Sequence, residues 1–539
     1  MCWPVFTHRS WARQANRVLL WETEPSCRSA GLVDMARNTF GNRKWLNPLA
    51  AGLLFILALF AWKYYPASGS SLTGAPKAAP NNVYFGTLKS IAVLPPDIDG
   101  LPAGQEFRAA GFANEITRLL TLAPGLQVTS RNSALFFKEQ SVPLRIIAER
   151  LQVTWLLSTA WESAGDGFRL TGRLYNARRD KEAWSGHYEL DSGQIFGVQD
   201  EFLKEVAKAI RLSATKVPPP AEPVGERAWS AYLKGLYRQD ERTLEGYRAA
   251  ADHFQAALEI EPGYELARLS LTSSWLALTD VGDPNPEWLE KARAELEFLL
   301  QANPRSAGAL GLSSYISRNH DWDWVAALEA ANSAISVNPG DPGLKTQAGL
   351  SMFTLGQFSR ATRLMETAVA QDPLNLSGWL RLGLLQEFST DYDGALASYR
   401  KILSLNSDFP GARALRTRVK IIQDKPDSAM KESEQEADPF WKRYSQILVL
   451  TAQEEHEEAA ALLDRMKAED GFHAAYQVAE ILAFRGDLDD SFIWLERALR
   501  QRDGGMKELI GNYFLESLHQ DPRWRDLLAR MGLPLDLES

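Results

Sequence analysis

The chain has 539 residues, with 59 Lys+Arg against 68 Asp+Glu for a formal charge of −9. That length suits roughly three to four ordinary domains, and the acidic balance argues against a protein whose main task is gripping nucleic-acid phosphates. At 45% hydrophobic and 24% charged the chain is not a disordered one, and its 2 cysteines exclude a disulfide scaffold or a four-thiolate metal site.

Both cysteines, Cys2 and Cys27, fall near the start, so the rest of the chain is indifferent to an oxidising compartment. Leu49 to Trp62 is an uncharged apolar run. Extended over 46–65, it spans about 30 Å as a helix at about 1.5 Å per residue. Lys63 follows the run at once and no clean A-x-A site appears, which favours an uncleaved signal anchor over a cleaved peptide. Trp45, Trp62, Tyr64 and Tyr65 stand where interfacial aromatics belong. Arg37, Arg43 and Lys44 precede the run, so the positive-inside rule puts residues 1–45 in the cytoplasm. The expected location is a bacterial inner membrane, crossed once, with the bulk of the chain periplasmic. Met35 opens a compact signal-anchor pattern and is read as an alternative start to Met1. Residues 66–88, rich in Pro, Ala, Ser and Gly, read as a flexible linker.

Residues 89–214 read as a small α/β domain. Ser90 to Leu94 is a β-branched run stopped by Pro95-Pro96, and Phe112, Ile116, Leu119 and Leu120 share one helix face. Leu126 to Thr129 is a second strand, and Ser130–Lys138 and Leu144–Leu151 are short helices. Val153–Trp161 and Phe168–Tyr175 form a hairpin about Gly165-Asp166-Gly167. A strand over Glu182–Leu190 and a helix over Ile195–Ser213 complete the unit. Arg131 and Lys138 invite an anion-site reading at a helix start, against the commoner one of a solvated helix capped by Ser130. The words Ser90-Ile-Ala-Val-Leu-Pro95, Ser130-Arg-Asn-Ser-Ala134, Ala183-Trp-Ser185 and Ile195-Phe-Gly-Val-Gln-Asp-Glu201 occur in order. In them the segment resembles the N-terminal domain of TolB-like proteins, joined in bacterial membrane proteins to tetratricopeptide repeats (TPRs). Departures from that pattern fall at Pro96 and Ala110.

After Pro218-Pro219-Pro220 the chain turns to long amphipathic helices. Gly349 and Gly383 are 34 residues apart, as are Ala361 and Ala395. Gly349, Ala361, Ala368 and Pro373 stand at TPR positions, small residues where two helices touch and Pro at the exit. The frame recurs at Ala250–Pro262, Ala292–Pro304, Ala327–Pro339 and Ala479–Ala498. It blurs over 412–470, where KPDSAMKESEQEADP reads as a loop. The array therefore covers 225–505, and 506–539 is expected to cap its last apolar face. The expected fold is mainly α, a TPR α-solenoid behind a small α/β domain and one N-terminal transmembrane helix.

The first helix of each TPR pair lines the groove, which nominates Leu350 and Phe353 in one repeat and Leu380, Leu384 and Phe388 in the next. The Lys and Asn that clamp a terminal carboxylate in some such proteins are absent there, so an apolar or amphipathic protein segment is the expected ligand. No P-loop, dinucleotide or nucleophile-elbow motif occurs, and the seven His never take metal-ligand spacing. Asp321 with Asp323 and Asp391 with Asp393 read as helix caps. The expectation is a membrane-anchored scaffold without catalytic, metal or cofactor residues, binding a protein or peptide and no nucleic acid. The alternative is the sensory half of a transmembrane regulator whose cytoplasmic output domain, a winged helix or cyclase, is missing or separate.

Overall fold

The computed structural model describes residues 89–138, 140, 142–190, 195–212 and 224–535. The expected membrane run 46–65 and its flanks lie outside them. No helix among the described residues is long and apolar enough to cross a membrane.

The α/β unit holds one mixed sheet of six strands: β1 (Lys89–Val93), β2 (Asp97–Gly100), β3 (Leu126–Val128), β4 (Trp155–Ala164), β5 (Gly167–Asn176) and β6 (Lys181–Leu190). Their order is β3-β1-β4-β5-β6, with β2 also on β4. β1 runs parallel to β3 and β4, and its apolar run is covered on both faces, as a parallel strand requires. β4, β5 and β6 are antiparallel. Phe168, Leu170 and Leu174 of β5 turn inward while Arg169 and Arg173 turn out. Ala164 pairs with Gly167 across a two-residue turn, and Gly165 takes φ +60°, the conformation such a hairpin demands. β2 was invisible in the sequence, because DIDG is polar and mostly exposed.

Helix α1 (Glu106–Thr121) buries Phe107, Phe112, Ile116, Leu119 and Leu120. The short α2 (Arg131–Leu135) and α3 (Leu144–Leu151) follow, and α4 (Ile195–Ala209) packs on β6 and β5. Trp161 is 1% exposed and meets Phe112 edge-on at 5.4 Å, which makes it core and not a stacking platform.

From residue 226 the chain forms eight helix pairs: α5 (Glu226–Gln239) with α6 (Leu244–Ile260), α7 (Glu265–Asp280) with α8 (Glu287–Ala302), and α9 (Ala307–Ile316) with α10 (Trp324–Val337). Then come α11 (Pro342–Thr354) with α12 (Phe358–Gln371), α13 (Leu376–Phe388) with α14 (Tyr392–Leu405), and α15 (Ala412–Ile422) with α16 (Pro426–Ser433). The last two pairs are α17 (Pro439–Ala452) with α18 (His456–Glu469), and α19 (Ala475–Arg485) with α20 (Leu488–Gln501). Each first helix also touches its neighbours in the stack, the geometry of a TPR-like solenoid. A Cβ on Gly235 would stand 2.4 Å from Phe254, one on Gly349 2.9 Å from Met365, and one on Gly383 2.3 Å from Tyr399. Glycine therefore sets how closely the two helices of a pair approach. Asp323 and Asp391 accept from Ala326 N and Gly394 N and cap their helices.

One expectation changes. The stretch 425–439, read as a loop, contains α16, opened by Pro426 at its first turn and held by buried Ala429, Glu432 and Ser433. Its polar composition hid a short helix whose inner face carries only small or ion-paired residues. The α/β unit and the first repeats share one core, which runs from Ile91 through Trp161 and Phe202 to Trp229, Phe254 and Ile316. A Cβ on Gly111 would fall 2.3 Å from Leu233, so α1 lies directly on α5.

Candidate interaction site inside the helical array

The C-terminal segment does more than cover the last repeat. Residues 502–535 form two 3-10 turns (Gly504–Glu508 and Tyr513–Leu518) and α21 (Pro522–Arg530). The segment runs back across all six pairs that begin at α9. Trp324 Nε1 donates to the Met531 carbonyl at 2.7 Å, and a Cβ on Gly511 would stand 2.5 Å from the Phe358 ring. Arg381 pairs with Glu508 at 3.0 Å, and Phe514 enters the core made by Tyr444, Ile447 and Leu448.

Arg418 is the hub of this contact. Its Nε donates to Glu387 at 3.0 Å, Nη1 to Tyr444 Oη at 2.7 Å and Glu480 at 2.6 Å, and Nη2 to Asn512 Oδ1 at 3.1 Å. The guanidinium carbon lies 4.5 Å from the Phe514 ring centre. Asn512 returns two bonds, to Tyr476 Oη at 2.8 Å and Glu480 at 2.6 Å. Tyr399 Oη donates to Glu387 at 3.2 Å. Burial pushes the Glu387 carboxyl upward against the pull of Arg418. Five repeat helices and the C-terminal segment thus meet at one satisfied polar knot. The sequence signal for it was slight: Gln386-Glu387 within an apolar helix and a lone Arg418 on an inner face.

Of the five residues expected to line an open groove, Leu380, Leu384 and Phe388 sit on α13, which carries Glu387, and Leu350 and Phe353 on α11. Phe353, Leu380, Leu384 and Phe388 are 3%, 3%, 4% and 7% exposed, and Leu350 is half-buried. The rings of Phe353, Phe358 and Phe388 form a trio with centres 5.1 to 6.1 Å apart. The structure brings Phe353 and Phe388 together, and four of the five side chains are packed away rather than left as a free surface.

The exposed large apolar side chains lie elsewhere. Leu244, Ile260, Phe298, Val325 and Ile493 belong to second helices, and Phe472, 68% exposed, to the turn after α18. Beside α9 and α8 lies a cleft of ≈ 490 Å³. Of the three charges on its wall, Arg293 and Asp321 pair with each other and Glu297 accepts from Gln301. No group of three potential metal ligands occurs among the described residues.

Arg131, one of the two possible anion ligands of the sequence, is bound instead to Asp240 of the first repeat. Ser130 caps its helix by accepting from Ser133 N at 3.3 Å, as the commoner reading had it. The Ser130 and Ser133 hydroxyls both donate to buried Asp372, which fixes the α/β unit to the turn before α13.

No family model matches the chain. It is 28% identical over 204 residues to "Putative adenylate cyclase 3" of Rhizobium meliloti (strain 1021), covering 35% of this chain and 33% of that protein. It is 26% identical over 116 residues to "Heat-shock protein cognate (HSC) co-chaperone sgt12" of Aspergillus fumigatus, covering 22% and 34%. The chain thus spans about a third of the length of the curated relatives it matches. Among solved structures, a tetratricopeptide repeat protein from Parabacteroides merdae aligns with TM-score 0.36 at 16% identity, covering 50% of this chain and 100% of that one. Yeast Tom70 aligns with TM-score 0.34 at 16% identity, covering 57% and 68%.

Proposed function

We propose that the chain is a TPR-type protein-interaction scaffold, anchored in a bacterial inner membrane by residues 46–65, with its α/β unit and repeats in the periplasm. A TolB-like character of residues 89–214 belongs to the same proposal and rests on the sequence words alone. The observation that carries the scaffold reading is the eight stacked helix pairs, whose 34-residue frame is legible at Gly349 and Gly383. The partner is a protein or peptide, and no cofactor is called for. Because first-helix side chains of α13, α15, α17 and α19 are engaged with the tail, the partner is assigned to the second-helix side and its turns, where Phe472 and Ile493 are exposed at 68% and 63%.

Photo-cross-linkers placed at Phe472 and Ile493 of the full-length chain in intact envelopes are expected to give discrete adducts, with none from Leu384. Adducts from Leu384 or Phe388 would return the partner to the inner groove. Adducts from no position would defeat the scaffold reading. An alkaline phosphatase fused after residue 535 is expected to be active, and an inactive fusion would overturn the periplasmic assignment.

A second reading is favoured by the resemblance to a protein named as a putative adenylate cyclase. In it the chain is the sensory half of a signalling assembly with a separate output protein. Cross-linking through residues 1–45 that captured a nucleotide cyclase or a DNA-binding protein would favour this reading over the first.

A further inference from the structure

The third repeat departs from helical regularity where it meets the tail. After α9 the chain makes a π-helical turn, Ser317–Asp321, and Trp322 then takes φ +64°. A bulky aromatic in the left-handed region is strained, and π-turns and such outliers gather at functional sites. The turn carries Arg318 into the interior, where it is only 9% exposed.

No carboxylate pairs with Arg318 among the described residues. Its Nη1 donates to Asn319 Oδ1 at 3.1 Å, and its Nε–H is buried without an acceptor. The same Asn319 oxygen accepts from Lys507 Nζ of the tail at 2.9 Å. One amide oxygen therefore holds two cations side by side. Arg381 is near enough to repel both, and its own carboxylate, Glu508, is committed to it at 3.0 Å. Asp280, the other carboxylate in reach, accepts from Tyr315 and stands 3.7 Å from His320 Nε2.

A buried cation left without a counter-charge is costly, which is why such groups are nearly always paired. The contrast with Arg418 in the same array is direct, since every polar edge of that guanidinium is used. The Nε–H of Arg318 is buried without an acceptor, and the edge it shares with Nη2 is the one that matches two oxygens of a single anion. Lys507, pushed down to about 7 by burial and by Arg318 and Arg381, registers the same excess of positive charge.

We propose that Arg318 and Lys507, held together by Asn319, form a binding site for a small free oxyanion of carboxylate or phosphate type, with Arg381 adding to its field. The depth of Arg318 beneath the tail favours a small solute over a polypeptide. Arg318 supplies a two-pronged contact and Lys507 a point charge. The ligand would join the third repeat to the tail and so set how firmly the array closes.

The test is thermal unfolding of the full-length protein titrated with inorganic phosphate and, separately, with succinate, against sodium chloride at matched ionic strength. The Tm is expected to climb with the logarithm of the concentration of at least one probe. Arg318→Gln and Lys507→Met should each weaken the fitted Kd by about tenfold or more, as loss of a charge-assisted contact implies. Arg145→Gln, at an exposed position of α3, should leave the response intact. If Arg318→Gln does not fold, Lys507→Met decides. A probe effect no greater than that of chloride overturns the site. A response equally strong in Lys507→Met and the parent overturns it as well. Succinate acting without phosphate would assign the site to carboxylates, and the reverse would assign it to phosphates.

Discussion

Arg418 and Arg318 are both buried on the inner side of the array, and their surroundings make them opposites. Arg418 faces Glu387 and Glu480, so removing the guanidinium would strand buried carboxylates, at a cost of about 3–5 kcal/mol. Among the described residues Arg318 already lacks such a partner, and Lys507 shares its field. The lysine gives this setting a pH signature. Its folded value, about 7, lies below the ordinary value near 10.4, so the folded state binds fewer protons than the unfolded state between the two. Stability therefore rises with pH across that window, and below about pH 7 the contribution is absent. Burial, then Arg318 and Arg381, push the lysine down, while Asp280 and Glu508 hold it up more weakly. Urea midpoints should climb from pH 7 to pH 9 for the parent and climb less for Lys507→Met. Parallel curves would show that the lysine is ordinary.

At the scale of elements, the close approach of paired helices rests on what opposes each glycine. Gly383 faces the ring of Tyr399, which is fully buried and bonded to Glu387, so the ring cannot retreat. Gly349 faces the flexible side chain of Met365, farther away by the same construction. Gly383→Ala should therefore cost about 1–3 kcal/mol by overpacking. Gly349→Ala should cost less, because Met365 can shift and alanine favours a helix by about 1 kcal/mol over glycine. Equilibrium urea unfolding of the two variants checks the order, and equal losses would contradict it. These glycines were legible in the sequence, since their spacing is the repeat itself. The π-turn at Ser317–Asp321 was not. Its residues look like an ordinary helix end, and only contact with a tail some 180 residues later in the chain gives Arg318 its position.

For the whole molecule, the α/β unit and the array behave as one body because buried groups cross between them. Asp372 accepts from Ser130 and Ser133, Arg131 pairs with Asp240, and Gln127 Nε2 donates to the Ala370 carbonyl at 3.2 Å. Asp372→Ala would leave two hydroxyls without their acceptor and should loosen this junction by about 1–3 kcal/mol. Calorimetry is expected to show one cooperative transition in the parent, and in the variant a lower Tm with broadening toward two. An unchanged endotherm would place the coupling entirely in the shared apolar core around Phe112, Leu233 and Phe254.

The sequence by itself determined the helical periods, the 34-residue frame, the hairpin at Gly165 and the apolar faces, because each depends on residues close together in the chain. It also identified Leu350, Phe353, Leu380, Leu384 and Phe388 as one apolar surface. What covers that surface was decided only by the tertiary structure. An apolar face is equally well buried by a partner or by a distant part of its own chain, and residue type carries no record of which. Here four of the five side chains are buried, and the tail crosses the neighbouring helices, fixed by Asn512 on Arg418 and by Trp324 on Met531. The same holds for charge. The sequence counts 59 cations, but only the fold separates Arg418, with two carboxylates, from Arg318, with none among the described residues.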